Sequence, residues 1–85
     1  NFPNPFNSRT IIHYELPKQE LVQIIIFDLL GHQVKRLVDD FQDAGVNSIV
    51  WDTTNDHGQP VSAGIYIYQL LAGRILQTRK MVFLK

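Results

Sequence analysis

Turn-forming residues interrupt this sequence at short and nearly even intervals, and this spacing limits the possible folds more than any other feature. Proline, glycine, asparagine and aspartate separate short apolar segments, so that each segment with its turn takes roughly 10–12 residues. Spacing of this kind is typical of a β-sandwich, and no segment has a convincing amphipathic helical pattern. The sequence therefore predicts an all-β fold.

The first two segments carry strand signals. Side chains alternate between Arg9 and Leu16, which places Thr10, Ile12, Tyr14 and Leu16 on one face. The segment Leu21–Leu30 has large apolar residues on both faces, as in a central strand, and its three successive isoleucines disfavour the competing helix. A tight turn is expected at Asp28–Gly31, where glycine can adopt positive φ.

The third segment departs from strict alternation. Val34 and Leu37 cannot share one face of a regular strand, so Gln33–Val38 predicts a bulged or edge strand, with a helix from Val34 to Phe41 as the weaker alternative. A polar turn around Phe41 is expected from Asp39 to Gly45.

The second half of the chain predicts further strands and an immunoglobulin-like arrangement. Tyr66 and Tyr68 have the same two-residue spacing as the tyrosine and the second cysteine of antibody-type domains. Trp51 is a candidate for the large buried aromatic residue of such domains. The sequence thus predicts an immunoglobulin-like antiparallel β-sandwich of about seven short strands. The later segments are Val46–Asp52, a short extended piece from Val61, Gly64–Leu71 and Ile75–Leu84.

Composition excludes several classes of partner. Eight basic and eight acidic side chains give no net charge, so neither nucleic acid nor an anionic membrane is an expected partner. No apolar run approaches the ~20 residues of a membrane helix, and membrane insertion is not expected. The 85 residues fit a single domain, in which we expect residues 1–8 to be a lead-in from a preceding domain of a longer chain.

No catalytic constellation is apparent, so we expect no enzyme activity and no cofactor. The sequence has no Gly-x-Ser-x-Gly motif and no cysteine. The loop Asp52–Gly58 has oxygen ligands suited to calcium, but its spacing fits an ordinary polar turn better. Exposed tyrosines beside Trp51 would suit sugar binding, although core packing explains these rings better.

The final segment is long, extended and basic. Arg79, Lys80 and Lys85 lie among apolar residues. A strand of this kind at a sheet edge would offer free backbone groups for pairing with another chain, or would be an edge protected by its own basic residues.

Several motifs together carry a family resemblance over essentially the whole chain. In order and spacing they resemble the type A C-terminal sorting domain of type IX secretion substrates, and the related immunoglobulin-like domain of flagellar hook-capping proteins. The motifs are Phe2-Pro3-Asn4-Pro5-Phe6-Asn7, Asp28-Leu29-Leu30-Gly31-His32-Gln33-Val34, Ala44-Gly45, Val50-Trp51-Asp52, Gly58-Gln59-Pro60-Val61, Gly64-Ile65-Tyr66-Ile67-Tyr68 and Arg79-Lys80-Met81-Val82-Phe83-Leu84-Lys85.

The resemblance implies a non-catalytic sorting and attachment module. It would direct an upstream passenger domain of the same chain through the periplasm and outer membrane to the cell surface or medium, in contact with secretion machinery proteins at the outer membrane. It also implies two sets of recognition residues, which are Pro3, Asn4, Pro5, Phe6 and Asn7 at the domain boundary and Arg79, Lys80 and Lys85 in the last strand. The alternatives are a structural or protein-interaction spacer domain and a carbohydrate-binding module.

Overall fold

A computed structural model describes residues 9–84 of the chain. Within them the backbone forms six strands and no helix, so the prediction of an all-β fold is confirmed. The strands are β1 (Thr10–Leu16), β2 (Glu20–Phe27), β3 (Gln33–Gln42), β4 (Gly45–Trp51), β5 (Gly64–Ala72) and β6 (Ile75–Phe83).

The strands form two antiparallel sheets that enclose one core. The small sheet pairs β1 with β4, and the large sheet has the order β3-β2-β5-β6. The chain passes between the sheets after β1, after β3 and after β4. Two hairpins, β2–β3 and β5–β6, stay within the large sheet. Consequently β3 and β6 are the edge strands of the large sheet.

The prediction of about seven strands was wrong by one among the described residues. The extended piece expected from Val61 is not a strand, and an isolated bridge between Thr54 and Pro60 stands near its place. Proline has no N–H to donate to a hydrogen-bonded ladder, and the stretch between this proline and Gly64 is too short to form a strand.

Strand β3 is irregular, as predicted, but longer than predicted. Its register with β2 pairs Val38 with Ile24 and Arg36 with Ile25, so Leu37 has no partner in β2. A second register shift leaves Val34 without a partner in the same way, and both residues are therefore bulge positions. The polar turn expected over Asp39–Gly45 was wrong in extent. Asp39, Asp40 and Phe41 pair with β2, whose ladder outweighs the low strand propensity of aspartate.

The core follows the alternation of β1, β2 and β5. The fully buried side chains are Val22, Ile24, Ile26 and Trp51. One cluster joins β1 to the large sheet through Ile12, Tyr14, Leu16, Val22, Ile24, Val38, Leu70 and Ala72; a second consists of Ile26, Trp51, Tyr66 and Phe83. In the part of the chain that the structure describes, no helix is long and apolar enough to cross a membrane.

Candidate functional site

The β5–β6 hairpin positions the final strand. Ala72 pairs with Ile75, so only Gly73 and Arg74 form the loop. Gly73 has φ +59°, which suits the first central position of a type II′ turn, where glycine is favoured. A Cβ atom on Gly73 would lie 2.9 Å from Cδ of Glu20, so any other residue would also have to displace the end of the Glu20 side chain.

Strand β6 lies at the edge of the large sheet and is paired on one side only among residues 9–84. Every side chain from Ile75 to Lys80 is exposed. Arg79 pairs with Tyr68 and Lys80 with Ile67, so the two basic residues point to opposite faces of the sheet. Neither side chain forms a hydrogen bond or ion pair with another residue in this range. The strand therefore presents free backbone groups and two unpaired cations to solvent.

The end of the same strand is anchored in the core. Phe83 is 3% exposed and its ring stands edge-on to Trp51, with centroids 6.2 Å apart and planes at 68°. Trp51 is in turn edge-on to Tyr66 at 5.3 Å and donates its indole N–H to the Thr54 carbonyl oxygen at 2.8 Å. The site thus combines an exposed edge with a buried anchor three residues after Lys80.

Tyr66 holds the corner that precedes β5. Its hydroxyl donates a hydrogen bond to the Ser62 carbonyl oxygen, four residues upstream, at 2.6 Å. This is the tyrosine corner that immunoglobulin-like domains use, as the sequence rhythm predicted. Burial, and secondarily the nearby charge of Asp28, raises the pKa of the Tyr66 hydroxyl, which further favours the neutral form that donates this hydrogen bond.

Part of the opposite edge of the large sheet, at Val34–Arg36, is covered by the loop after β4. The backbone N–H of Asp56 donates to the Val34 carbonyl oxygen, and the Asp56 carboxylate accepts the backbone N–H of Arg36, both at 2.9 Å. Gln33 donates its side-chain amide to the same carboxylate at 2.9 Å. These hydrogen bonds lower the pKa of Asp56, and the bond from the backbone N–H of Arg36 makes the largest contribution. The loop therefore occupies backbone groups of β3 that would otherwise be free.

The same loop uses its oxygen atoms internally. Asp52 Oδ1 accepts hydrogen bonds from the hydroxyl and backbone N–H of Thr54, and Asn55 Oδ1 accepts from the N–H groups of His57 and Gln59. The Thr54 hydroxyl is the main reason that the pKa of Asp52 is lowered. Among residues 9–84, no three acidic or histidine side chains are grouped in a way that would hold a metal ion.

The aromatic residues considered for sugar binding pack inward. Trp51 and Tyr66 are buried and Tyr68 is half-buried. A sugar platform needs exposed, coplanar rings, whereas Trp51 and Tyr66 are inclined at 74°. These side chains build the core beneath β6.

The sequence-predicted recognition residues divide into two groups. Arg79 and Lys80 are consecutive residues of the exposed edge strand and point to opposite faces of the sheet. The segment Pro3, Asn4, Pro5, Phe6 and Asn7, together with Lys85, lies outside the described residues. Sequence reasoning missed the contribution of Asp56, because its partner Arg36 is 20 residues away and no periodic pattern connects them.

The sequence matches a known protein family over residues 1–84, and that family is described as the secretion system C-terminal sorting domain. No curated protein matches significantly.

Two solved structures have a similar fold. FlgD from P. aeruginosa superposes with a TM-score of 0.72 at 21% identity, over 94% of this chain and 63% of that one. FlgD from Xanthomonas campestris, a protein of flagellar hook capping, gives 0.70 at 23% identity, over 91% and 56%. The chain thus spans about three fifths of the length of these structures, and identities this low show a shared fold only.

Proposed function

We propose that this chain, which belongs to the family of secretion system C-terminal sorting domains, is a non-catalytic module that directs a larger exported protein through the type IX secretion system to the cell surface. Membership of the family assigns it a role in secretion sorting. The proposal adds the route, the destination and the surface that the machinery reads. The family resemblance supplies the route and the destination, and the arrangement of the two sheet edges supplies the surface.

The observation that carries the proposed surface is the difference between the two edges of the large sheet. The β3 edge is covered at Val34–Arg36 by the loop that contains Asp56. The β6 edge has no such cover within residues 9–84, and its charged side chains are both basic. Soluble domains normally protect long edge strands, and an edge left open is a template for an added strand.

Strand addition explains how such a surface would be recognised. Backbone hydrogen bonds along β6 would supply affinity without dependence on the passenger, and side chains of alternate residues would supply specificity. Arg79 and Lys80 would then contact acidic groups of the secretion machinery, whereas Phe83 fixes the strand to the domain. The module would act as a folded handle rather than as a binding pocket.

The buried anchor determines which experiment is informative. Deletion of Lys80–Lys85 is expected to leave the passenger in the periplasm. However, the deletion also removes Phe83 from the core and destabilises the fold. Charge reversal on exposed positions avoids this difficulty. A secreted reporter fused to residues 1–85 should be compared with its Arg79→Glu/Lys80→Glu variant in a bacterium with a type IX system.

A matched control is available in the turns. Lys18 and Arg74 are exposed and lie outside the strands, so Lys18→Glu/Arg74→Glu makes the same change in net charge. We expect the β6 variant to accumulate in the periplasm as a folded domain and the control to reach the surface. Delivery of the β6 variant at the level of the unsubstituted fusion would refute the proposed recognition surface.

The similarity to FlgD favours one alternative, a structural or protein-interaction domain. A spacer of this kind would leave the reporter in the periplasm in every variant, including the unsubstituted one. The same fractionation therefore separates the two functions.

A further inference from the structure

A groove of about 570 Å³ opens along one side of the sandwich, between β1 and β6. Strand β4 contacts β3, so β1 is the strand of the small sheet nearest to β5 and β6. Besides Val46, the groove is lined by His13, Tyr14 and Glu15 of β1, Tyr68 of β5, and Gln77 and Arg79 of β6. We call this the β1–β6 groove.

The groove lies where the small sheet stops short of the large one. Within residues 9–84 the small sheet has two strands against four. Seven-strand immunoglobulin-like domains pair a sheet of four with a sheet of three. The inward face of β6 is consequently bare at Gln77 and Arg79. Gln77 and Arg79 share that face with buried Phe83, yet both are exposed.

The free side of β1 supplies the backbone groups for a third strand. Strand β1 pairs with β4 over all seven of its residues, from Thr10 to Leu16, and with no other strand in this range. Along a strand of an antiparallel pair, the backbone groups of successive residues point alternately toward the partner strand and away from it. About half of the β1 N–H and C=O groups therefore point away from β4. A strand added about 4.8 Å from β1 would lie over the inward face of β6.

We propose that the β1–β6 groove binds an extended segment of a partner protein, which adds to β1 as the third strand of the small sheet and carries an aspartate or glutamate that faces Arg79. Charge complementarity selects this occupant, because Arg79 is the basic side chain on the inward wall of the groove and has no ion pair within residues 9–84. A bidentate contact between arginine and carboxylate is among the stronger polar contacts.

The other polar groups define the remaining positions of the segment. Tyr68 is half-buried and Gln77 is exposed beside Arg79, so a small polar residue suits the adjacent inward position. His13 and Glu15 are on the outward face of β1, opposite Ser48 and Val46, and would flank the outward side chains of the segment. About five residues would be sufficient, which is an ordinary strand length.

This site differs from the edge of β6 assigned to sorting. A chain that pairs with the β6 edge extends the large sheet, whereas a chain in the groove extends the small sheet and contacts only the inward face of β6. Arg79 is shared by the two surfaces, but Lys80 faces outward and belongs to the β6 edge alone. The groove proposal therefore stands or fails separately from the sorting function.

The test uses residues 1–85 and a defined probe, a nine-residue peptide of alternating threonine and valine with one central glutamate. Amide hydrogen exchange with and without peptide reports which strand edge is occupied. We expect exchange to slow at alternate residues of β1 and to stay unchanged in β6. Arg79→Gln should weaken binding about tenfold, since a charge-assisted hydrogen bond is lost. Lys80→Gln is the matched control and should bind as the unsubstituted domain does.

Three results would overturn the proposal. Slowed exchange in β6 rather than β1 would assign the peptide to the other edge. Equal binding of a peptide with glutamine in place of glutamate would remove the role of Arg79. Binding that occurs only after residues 1–8 are deleted would identify that segment of the chain, and not a partner, as the occupant.

Discussion

The ring of Phe83 packs edge-on against that of Trp51 at a centroid distance of 6.2 Å, and this contact fastens the last strand to the core. The preceding residues of β6 up to Lys80 are exposed. The final strand is therefore a displayed edge held at one end by a buried aromatic residue, so the proposed sorting by this strand would require the domain to be folded.

Replacement of the anchor should destabilise the whole domain. Phe83→Ala removes a buried aromatic side chain and is expected to cost about 3–5 kcal/mol. A domain of this size has a net stability of only about that magnitude. Urea denaturation should therefore show a variant that is largely unfolded. Val82→Ala, at a neighbouring position that is 56% exposed, should change the stability by less than about 0.5 kcal/mol. Equal effects at the two positions would contradict the anchoring role.

The tyrosine corner should contribute through its hydroxyl group alone. Tyr66→Phe keeps the ring against Trp51 but leaves the Ser62 carbonyl oxygen without this donor. The expected loss is about 1 kcal/mol, or about 4–8 °C in melting temperature for a domain of this length. Tyr68→Phe is the control, because the Tyr68 hydroxyl makes no hydrogen bond to another residue in the range 9–84. Similar melting temperatures for Tyr66→Phe and the unsubstituted domain would show that the corner is dispensable.

A side chain at Gly73 should weaken the hairpin turn before β6. Gly73→Ala places an L-residue at φ +59°, which costs about 1–2 kcal/mol, and brings Cβ to 2.9 Å from Cδ of Glu20. The steric part of this cost should fall when Glu20 is shortened. In a double-mutant cycle with Glu20→Ala, we expect a coupling of about 0.5 kcal/mol or more. Strict additivity would mean that Glu20 simply moves aside.

The cover on the β3 edge should depend on pH through Asp56. Its pKa in the folded state lies below the ordinary 3.8, so the unfolded chain binds the proton more tightly. The stability supplied by the carboxylate is therefore present above about pH 4 and is lost as the pH falls through the folded-state pKa. Urea midpoints measured from neutral to acidic pH should fall less steeply for Asp56→Asn than for the unsubstituted domain.

The control for this pH dependence is Asp43→Asn. The Asp43 carboxylate is exposed and accepts no hydrogen bond from another residue within the described range. This variant should retain the acid dependence of the unsubstituted domain. A profile for Asp56→Asn that coincides with that of Asp43→Asn would show that the loop contact adds nothing to stability.

Local alternation was sufficient to predict much of the fold. The alternation of side chains along β1 predicted which residues share its inward face, and Ile12, Tyr14 and Leu16 on that face are all buried. The irregularity of β3 was also visible in the sequence, because Val34 and Leu37 break the alternation, and these are the residues that the register skips.

Long-range pairing could not be predicted in the same way. Asp39 and Asp40 have low strand propensity, and only their alignment with β2 places them in a ladder. The cover of the β3 edge likewise depends on a contact between Asp56 and Arg36 that the fold creates. For this reason the sequence indicated a basic final strand but could not show that the opposite edge is covered at Val34–Arg36.

The most direct test of the sorting role is whether residues 1–85 suffice to export a neutral reporter. A reporter with a signal peptide and this domain would be expressed in a bacterium with a type IX system and in the same strain without it, and the cells would be fractionated. The account predicts reporter on the surface or in the medium of the first strain and in the periplasm of the second. Reporter confined to the periplasm of both strains would contradict it.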